Sequence, residues 1–181
     1  MKLPHFKYHP NVYKLDLFEE EQGVCSICLQ ERSLRYEGPF YSIEEPEYSC
    51  PLCIADFSAA DKYNGEFNDY CGIEGVSPNP DDPEPTIQSE LLDEVCLKTP
   101  GYHSWQQGEW LSHCNEPCIF LGYADTDSIQ PFYNEIKEEF IESGQNYPLE
   151  ILNNISKDGH VVGYLFQCAQ CGKHKLHIDC D

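Results

Sequence analysis

Basic residues are scarce in this chain: 11 Lys and Arg stand against 32 Asp and Glu in 181 residues, a formal net charge of −21. Binding to nucleic acid depends on Lys and Arg displacing counterions, so this balance argues against direct, nonspecific DNA or RNA binding. It argues equally against attachment to anionic membranes. Long apolar runs are lacking too. No stretch approaches the roughly 18 apolar residues of a membrane span, and the opening MKLPHFKYHP has no unbroken apolar core of the kind that drives export. A soluble, cytoplasmic protein is expected. Catalytic signatures are also missing: there is no G-x-S-x-G, no H-E-x-x-H and no glycine-rich phosphate loop. The zinc-deaminase pattern fails as well, because no H-x-E or C-x-E precedes a P-C-x-x-C, and here the proline follows Cys50.

Cysteine, by contrast, is abundant. Eleven are present, six of them in three C-x2-C pairs: Cys25/Cys28, Cys50/Cys53 and Cys168/Cys171. Where thiols are kept reduced such pairs ligate metal rather than form disulfides, since two thiolates three positions apart on a tight turn reach one ion. Cys25, Cys28, Cys50 and Cys53 fit a four-thiolate zinc site, the intervening loop being one residue longer than usual. A closed set of four ligands leaves no position for water, so the site is structural. A second zinc site is expected from Cys168 and Cys171 with Cys114 and Cys118, whose spacing of four would put both thiols on one face of a helical turn. His113, His174 and His177 lie close enough in sequence to replace one of these thiols; ordinary surface or core roles are the alternative for each. Three protein ligands would leave a catalytic water, and four would not. Cys71, Cys96 and Cys180 are left over as buried small hydrophobes or free thiols.

The expected fold is α+β: a treble-clef or zinc-ribbon-like N-terminal lobe (1–76), an acidic Pro-rich loop or linker (77–86), and a mixed helix and strand lobe (87–181) carrying the second site. The first twenty residues read as an irregular arm, and 34–41 as a short hairpin with a Gly-Pro break. The second knuckle leads into a helix over 54–62. SPNPDDPEPT holds four prolines in ten residues and cannot be helix or central strand. Helices follow at 87–97, 105–114 and 128–143. The last has Ile129, Phe132, Tyr133, Ile136, Phe140 and Ile141 on one face. Strands are expected over 161–167 and 175–179. His103, Trp105, Gln106, Gln107, Glu109 and Trp110 form a polar-aromatic cluster just before Cys114, able to build a pocket; core anchoring by the tryptophans is the alternative.

Phe6-Lys-Tyr-His-Pro10, Tyr36-Glu-Gly-Pro-Phe-Tyr41, Cys50-Pro-Leu-Cys-Ile-Ala-Asp-Phe-Ser-Ala-Ala60, Thr99-Pro-Gly-Tyr-His-Ser-Trp-Gln-Gln107, His113-Cys114 with Cys118, and Leu165-Phe-Gln-Cys-Ala-Gln-Cys-Gly172 together resemble the CbrC family, also called the colicin E2 tolerance or UPF0167 family. The resemblance implies a bacterial, cytoplasmic, metal-binding protein, with one member linked to tolerance of a nuclease colicin, and it supplies no catalytic residues. The Pro-rich loop and the helix after Asp127 fall outside the matching words.

Between Tyr63 and Ile136 stand 14 acids and one cation, Lys98. Two four-thiolate zinc sites would take −21 to about −25. Clustered acidity and the resemblance together lead to the expectation of a non-catalytic zinc protein that neutralises a basic partner such as a nuclease toxin. The competing expectations are a metal-dependent hydrolase or nucleic-acid-processing enzyme using an open second site, and a redox or regulatory zinc module.

Overall fold

The computed structural model describes residues 2–79, 81–143, 147–157 and 159–180. The chain opens with an arm that is irregular but packed. Phe6, Tyr8, Val12 and Leu17 are buried, and the Phe120 N–H donates to the Tyr8 carbonyl at 2.8 Å. Strands β1 (Phe18–Val24) and β2 (Glu31–Tyr36) follow as an antiparallel hairpin. The Gly38-Pro39 break lies after this hairpin and not inside one. β2 ends at Tyr36, whose hydroxyl donates to the Pro39 carbonyl at 3.1 Å, and the turn is made by the Cys25–Leu29 segment instead.

The expected helix after the second knuckle is two short ones, α1 (Pro51–Ala55) and α2 (Ser58–Tyr63). They are broken where Phe57 takes φ 74° and Asp56 Oδ1 accepts the Ser58 N–H at 3.0 Å. Helix α3 (Ser89–Lys98) comes next, and its end is satisfied by Thr99 Oγ1 donating to the Glu94 carbonyl at 2.8 Å. The helix expected over 105–114 is absent. A loop held by side chains replaces it, and then a tight hairpin, β3 (Ser112–His113) with β4 (Glu116–Pro117).

β5 (Ile119–Ala124) leads to α4 (Thr126–Ile129) and α5 (Tyr133–Glu142), which share the expected apolar stretch. A 3₁₀ turn over Gln130–Phe132 separates them, because Pro131 cannot continue an α-helix. Ile129, Ile136 and Phe140 are buried as the periodicity requires, whereas Ile141 faces out. β6 (Val161–Gln167) and β7 (His174–Cys180) form the expected final hairpin, and the sheet order is β5-β6-β7.

The architecture is thus small mixed α+β around three clusters of buried side chains. One surrounds Cys25, Cys50 and Cys53 beneath the first hairpin and α1. A second stacks Tyr102, Trp110, Phe120, Tyr164 and Phe166 on one face of the three-stranded sheet. The third packs α4 and α5 on the other face through Ile129, Ile136, Leu165 and Leu176. No described helix is long and apolar enough to cross a membrane.

Candidate metal centres

Two turns of nearly identical design supply the pairs Cys25/Cys28 and Cys168/Cys171. In the first, the Cys25 N–H donates to the Gln30 carbonyl at 3.0 Å and the Leu29 N–H returns to the Cys25 carbonyl at 2.9 Å. In the second, Cys168 and Lys173 make the same bond at 2.8 Å, and Gly172 returns to Cys168 at 3.1 Å. The fifth residue of each turn is left-handed, Leu29 at φ 58° and Gly172 at φ 77°. Both turns therefore join antiparallel strands while aiming backbone N–H groups at the first sulfur. The hydrogen bond from Cys50, helped by the Cys28 and Ile27 amides, holds the Cys25 thiol well below its usual range, although burial opposes them. Burial pushes the Cys168 thiol up, but hydrogen bonds from the Cys171 and Gln170 N–H groups, with those to His113 and the Cys171 side chain, bring the value down to about 6. Each turn is prepared to present a thiolate.

Cys50 and Cys53 complete the first cluster from the start of α1. Cys50 is extended, at φ −91° and ψ 153°, with Pro51 at the first helical position. The Cys53 N–H donates to the Cys50 carbonyl at 3.1 Å, so both sulfurs turn toward the knuckle. Cys53 Sγ lies 3.8 Å from Cys25 Sγ and 3.5 Å from Cys50 Sγ. Sulfurs at the corners of a tetrahedral zinc site are about 3.8 Å apart when Zn–S is about 2.3 Å. The four expected residues meet, with Cys25, Cys50 and Cys53 buried and Cys28 half-buried.

The second cluster differs from expectation at one position. His113, Cys114, Cys168 and Cys171 bring ligand atoms within 4.8 Å of one another, and Cys118 is not among them. Cys114 and Asn115 both have positive φ, 53° and 58°, the signature of a two-residue type I′ turn. The chain reverses there instead of winding, which places His113 beside Cys114 and carries Cys118 away. His113 Nδ1 is 3.1 Å from Cys114 Sγ and 3.4 Å from Cys171 Sγ, close to the roughly 3.6 Å that Zn–N and Zn–S lengths imply for a tetrahedron. Cys118 is fully buried with Trp110 and Phe120, its carbonyl accepts Trp110 Nε1–H at 2.8 Å, and burial pushes its thiol up. Pro117 was the sequence signal for this correction, since proline three residues after Cys114 opposes a helix there.

Neither remaining histidine reaches the cluster. His174 stacks on Phe132 and sits 3.1 Å from Glu135, while His177 stacks on Tyr164, 3.5 Å from Glu109. Lys175 and Glu116 support the site from behind, and neither was singled out from the sequence. The buried Lys175 ammonium donates to the Ser112 carbonyl at 2.9 Å and pairs with Glu74 and Glu139. Glu116 accepts from Tyr8 Oη at 2.8 Å, Lys7 Nζ at 2.5 Å and Gln170 Nε2 at 3.1 Å, which ties the N-terminal arm to both turns of the cluster.

The expected polar-aromatic cluster divides. Trp110 is core, while Trp105 is 63% exposed. His103 and Trp105 line one cleft with Tyr123 and Tyr164; Gln106, Gln107 and Glu109 line another with Tyr147 and His177. The buried Asp179 carboxylate fixes the loop between them, accepting the Trp105 and Gln106 N–H groups at 3.0 Å each.

The profile of an uncharacterised protein family, UPF0167, matches residues 3–180. The chain belongs to the UPF0167 family. UPF0167 proteins of Mycobacterium bovis and Mycobacterium tuberculosis are each 34% identical to it over 190 residues, covering 98% of this chain and 94% of the relative. One of Pseudomonas aeruginosa is 33% identical over 186 residues, covering 99% and 97%. No solved structure matches this UPF0167 chain.

Proposed function

We propose that this UPF0167 protein is a non-catalytic, two-zinc binding protein that engages a basic protein partner, such as a nuclease toxin domain, through its acidic surface. The observation that carries the reading is that each cluster offers four ligand atoms. A tetrahedral zinc held by four protein groups keeps no position for water or substrate, so the metals hold shape and the chemistry of recognition passes to the surface. The hairpin knuckle joined to α1 is a treble-clef arrangement of four thiolates. The two facing hairpins of the second cluster make a ribbon-like site of three thiolates and one imidazole. Seven thiolates and two zinc ions bring the formal charge from −21 to about −24. Asp81, Asp82, Glu84, Glu90 and Glu109 are exposed within the segment whose sole Lys or Arg is Lys98, which suits a surface that would otherwise meet phosphates.

The test has two parts. Metal analysis of the purified full chain should return two zinc ions per molecule. Titration against a basic nuclease toxin domain should then show inhibition with strongly salt-dependent association. A chain with full zinc that neither binds nor inhibits such a domain at low salt would refute the partner; a chain purified without zinc would refute the metal reading.

A further inference from the structure

We propose that Cys114 and Cys171 form an oxidation site: peroxide converts this pair to a disulfide and expels the second zinc, while the first zinc stays bound. The proposal rests on the zinc reading of both clusters, and its argument is the contrast between them. Three of the four sulfurs of the first cluster are buried and belong to a core that includes Tyr48, Ile54 and Phe67. In the second, Cys114 and Cys171 are both exposed and only Cys168 is buried. Zinc-bound thiolates are already deprotonated, and oxidation follows thiolate character and exposure. Peroxide therefore finds one cluster and not the other.

The two exposed sulfurs also sit where they can join. They flank the same nitrogen, His113 Nδ1, at 3.1 and 3.4 Å, and each is carried by a surface turn rather than by a core element. Closing to a disulfide of about 2.05 Å asks these turns to move and leaves the sheet in place. In the first step the Cys171 thiolate attacks one peroxide oxygen; the S–O bond forms as the O–O bond breaks, and hydroxide leaves. The Cys114 thiolate then attacks the Cys171 sulfur; the S–S bond forms, the S–O bond breaks, and a second hydroxide leaves. Two thiolates have lost two electrons and peroxide has gained them. Zinc retains only His113 and Cys168 and dissociates.

The surrounding hydrogen bonds make the change reversible. Gln170 Nε2 spans the two turns, donating to the Cys114 carbonyl and to Glu116 at 3.1 Å each. Glu116 is anchored in turn by Tyr8 and Lys7. The turns therefore stay facing each other without the metal, and a thiol reductant with added zinc restores the site.

The test uses the full chain carrying Cys71→Ser and Cys180→Ser, which removes the accessible thiols outside the two clusters. Zinc content is measured first, so failure of the metal reading is seen separately. Stepwise hydrogen peroxide in the presence of a chromogenic zinc chelator should release one of the two zinc ions. Peptide mapping should then find Cys114 joined to Cys171, with Cys25, Cys28, Cys50 and Cys53 still protected from alkylation. Adding Cys114→Ser should abolish the crosslink; if that variant loads only one zinc, the mapping of the parent decides alone. Parallel loss of both zinc ions, earlier loss from the first cluster, or release without a Cys114 to Cys171 crosslink would overturn the proposal.

Discussion

Leu29 and Gly172 occupy the same place in two equivalent turns, and only one of them is a residue suited to it. A left-handed backbone costs an L-residue about 1–2 kcal/mol and glycine almost nothing. Leu29 is 71% exposed, so burial does not recover the cost. A Cβ on Gly172 would meet nothing closer than Gln167 Nε2 at 3.9 Å, which isolates the backbone effect from packing. Gly172→Ala should destabilise the zinc-loaded protein by about 1 kcal/mol, whereas Leu29→Gly should be neutral or stabilising by up to about 1 kcal/mol; denaturant midpoints of the two variants check both signs. His9 makes a second case. Burial holds its imidazole down to about 4, only partly offset by its bond to the Pro100 carbonyl. The unfolded chain takes up a proton below about 6.5, and the folded one resists until about 4. His9 therefore contributes stability above pH 6.5 that is lost as pH falls through this window, roughly 3 kcal/mol in all. Subtracting the stability profile of His9→Phe from that of the parent should leave this slope; a flat difference between pH 6.5 and 4 would refute it. The cysteine pairs were legible in the sequence because their spacing is itself the geometry of the turn. The burial of His9 was not, since it comes from Phe120 and Trp110, more than a hundred positions away.

At the scale of elements, legibility followed how local each cause is. β6 and β7 were readable because short runs of strand-forming residues flank a C-x2-C turn and so determine a hairpin within twenty residues, although both strands are buried on both faces and do not alternate. β1 escaped because its residues, FEEEQGV, are mostly exposed and its partner rather than its pattern makes it a strand. The helix expected over 105–114 is replaced at its start by a loop because the carboxylate that takes the Trp105 and Gln106 N–H groups is Asp179, in the last strand. Docking of α5 on β7 depends on a similarly distant arrangement. Lys175 is buried between Glu139 of the helix and Glu74; burial pushes the Glu139 carboxyl up, but Lys173 and Lys175 together hold it below the usual carboxylate range. Removing one member of a buried ionic network leaves the others uncompensated at a cost of about 3 kcal/mol. Lys175→Met should therefore destabilise by about that amount. Lys173→Met should cost under about 1 kcal/mol, since Lys173 pairs with the same helix from a more exposed position. Equal losses in thermal melts of the two variants would contradict this account of the interface.

The whole molecule is held against two opposing demands, a small core and a large charge of one sign. Cys25, Cys50 and Cys53 are themselves part of the buried cluster beneath the first hairpin, so a metal held there would be continuous with the core. Structural zinc contributes about 10–16 kcal/mol in small domains, which matches or exceeds the whole stability of an ordinary fold, about 5–15 kcal/mol. Verified removal of zinc by chelation should accordingly abolish the cooperative melt of the first module; an unchanged melting temperature would sink that expectation. Charge supplies the other test. Even with every Lys and Arg paired, 21 of the 32 acids would remain without a cation, and exposed pairs return little energy in any case. Self-repulsion then outweighs attraction at low ionic strength. Raising sodium chloride from about 20 mM to about 500 mM shortens the screening length from roughly 20 Å to roughly 4 Å. The melting temperature of the zinc-loaded chain should rise across that range, while association with a basic partner should weaken across the same range, because screening relieves repulsion in one case and removes attraction in the other. A chain destabilised by salt would mean that its ion pairs, and not its excess of acid, dominate its electrostatics.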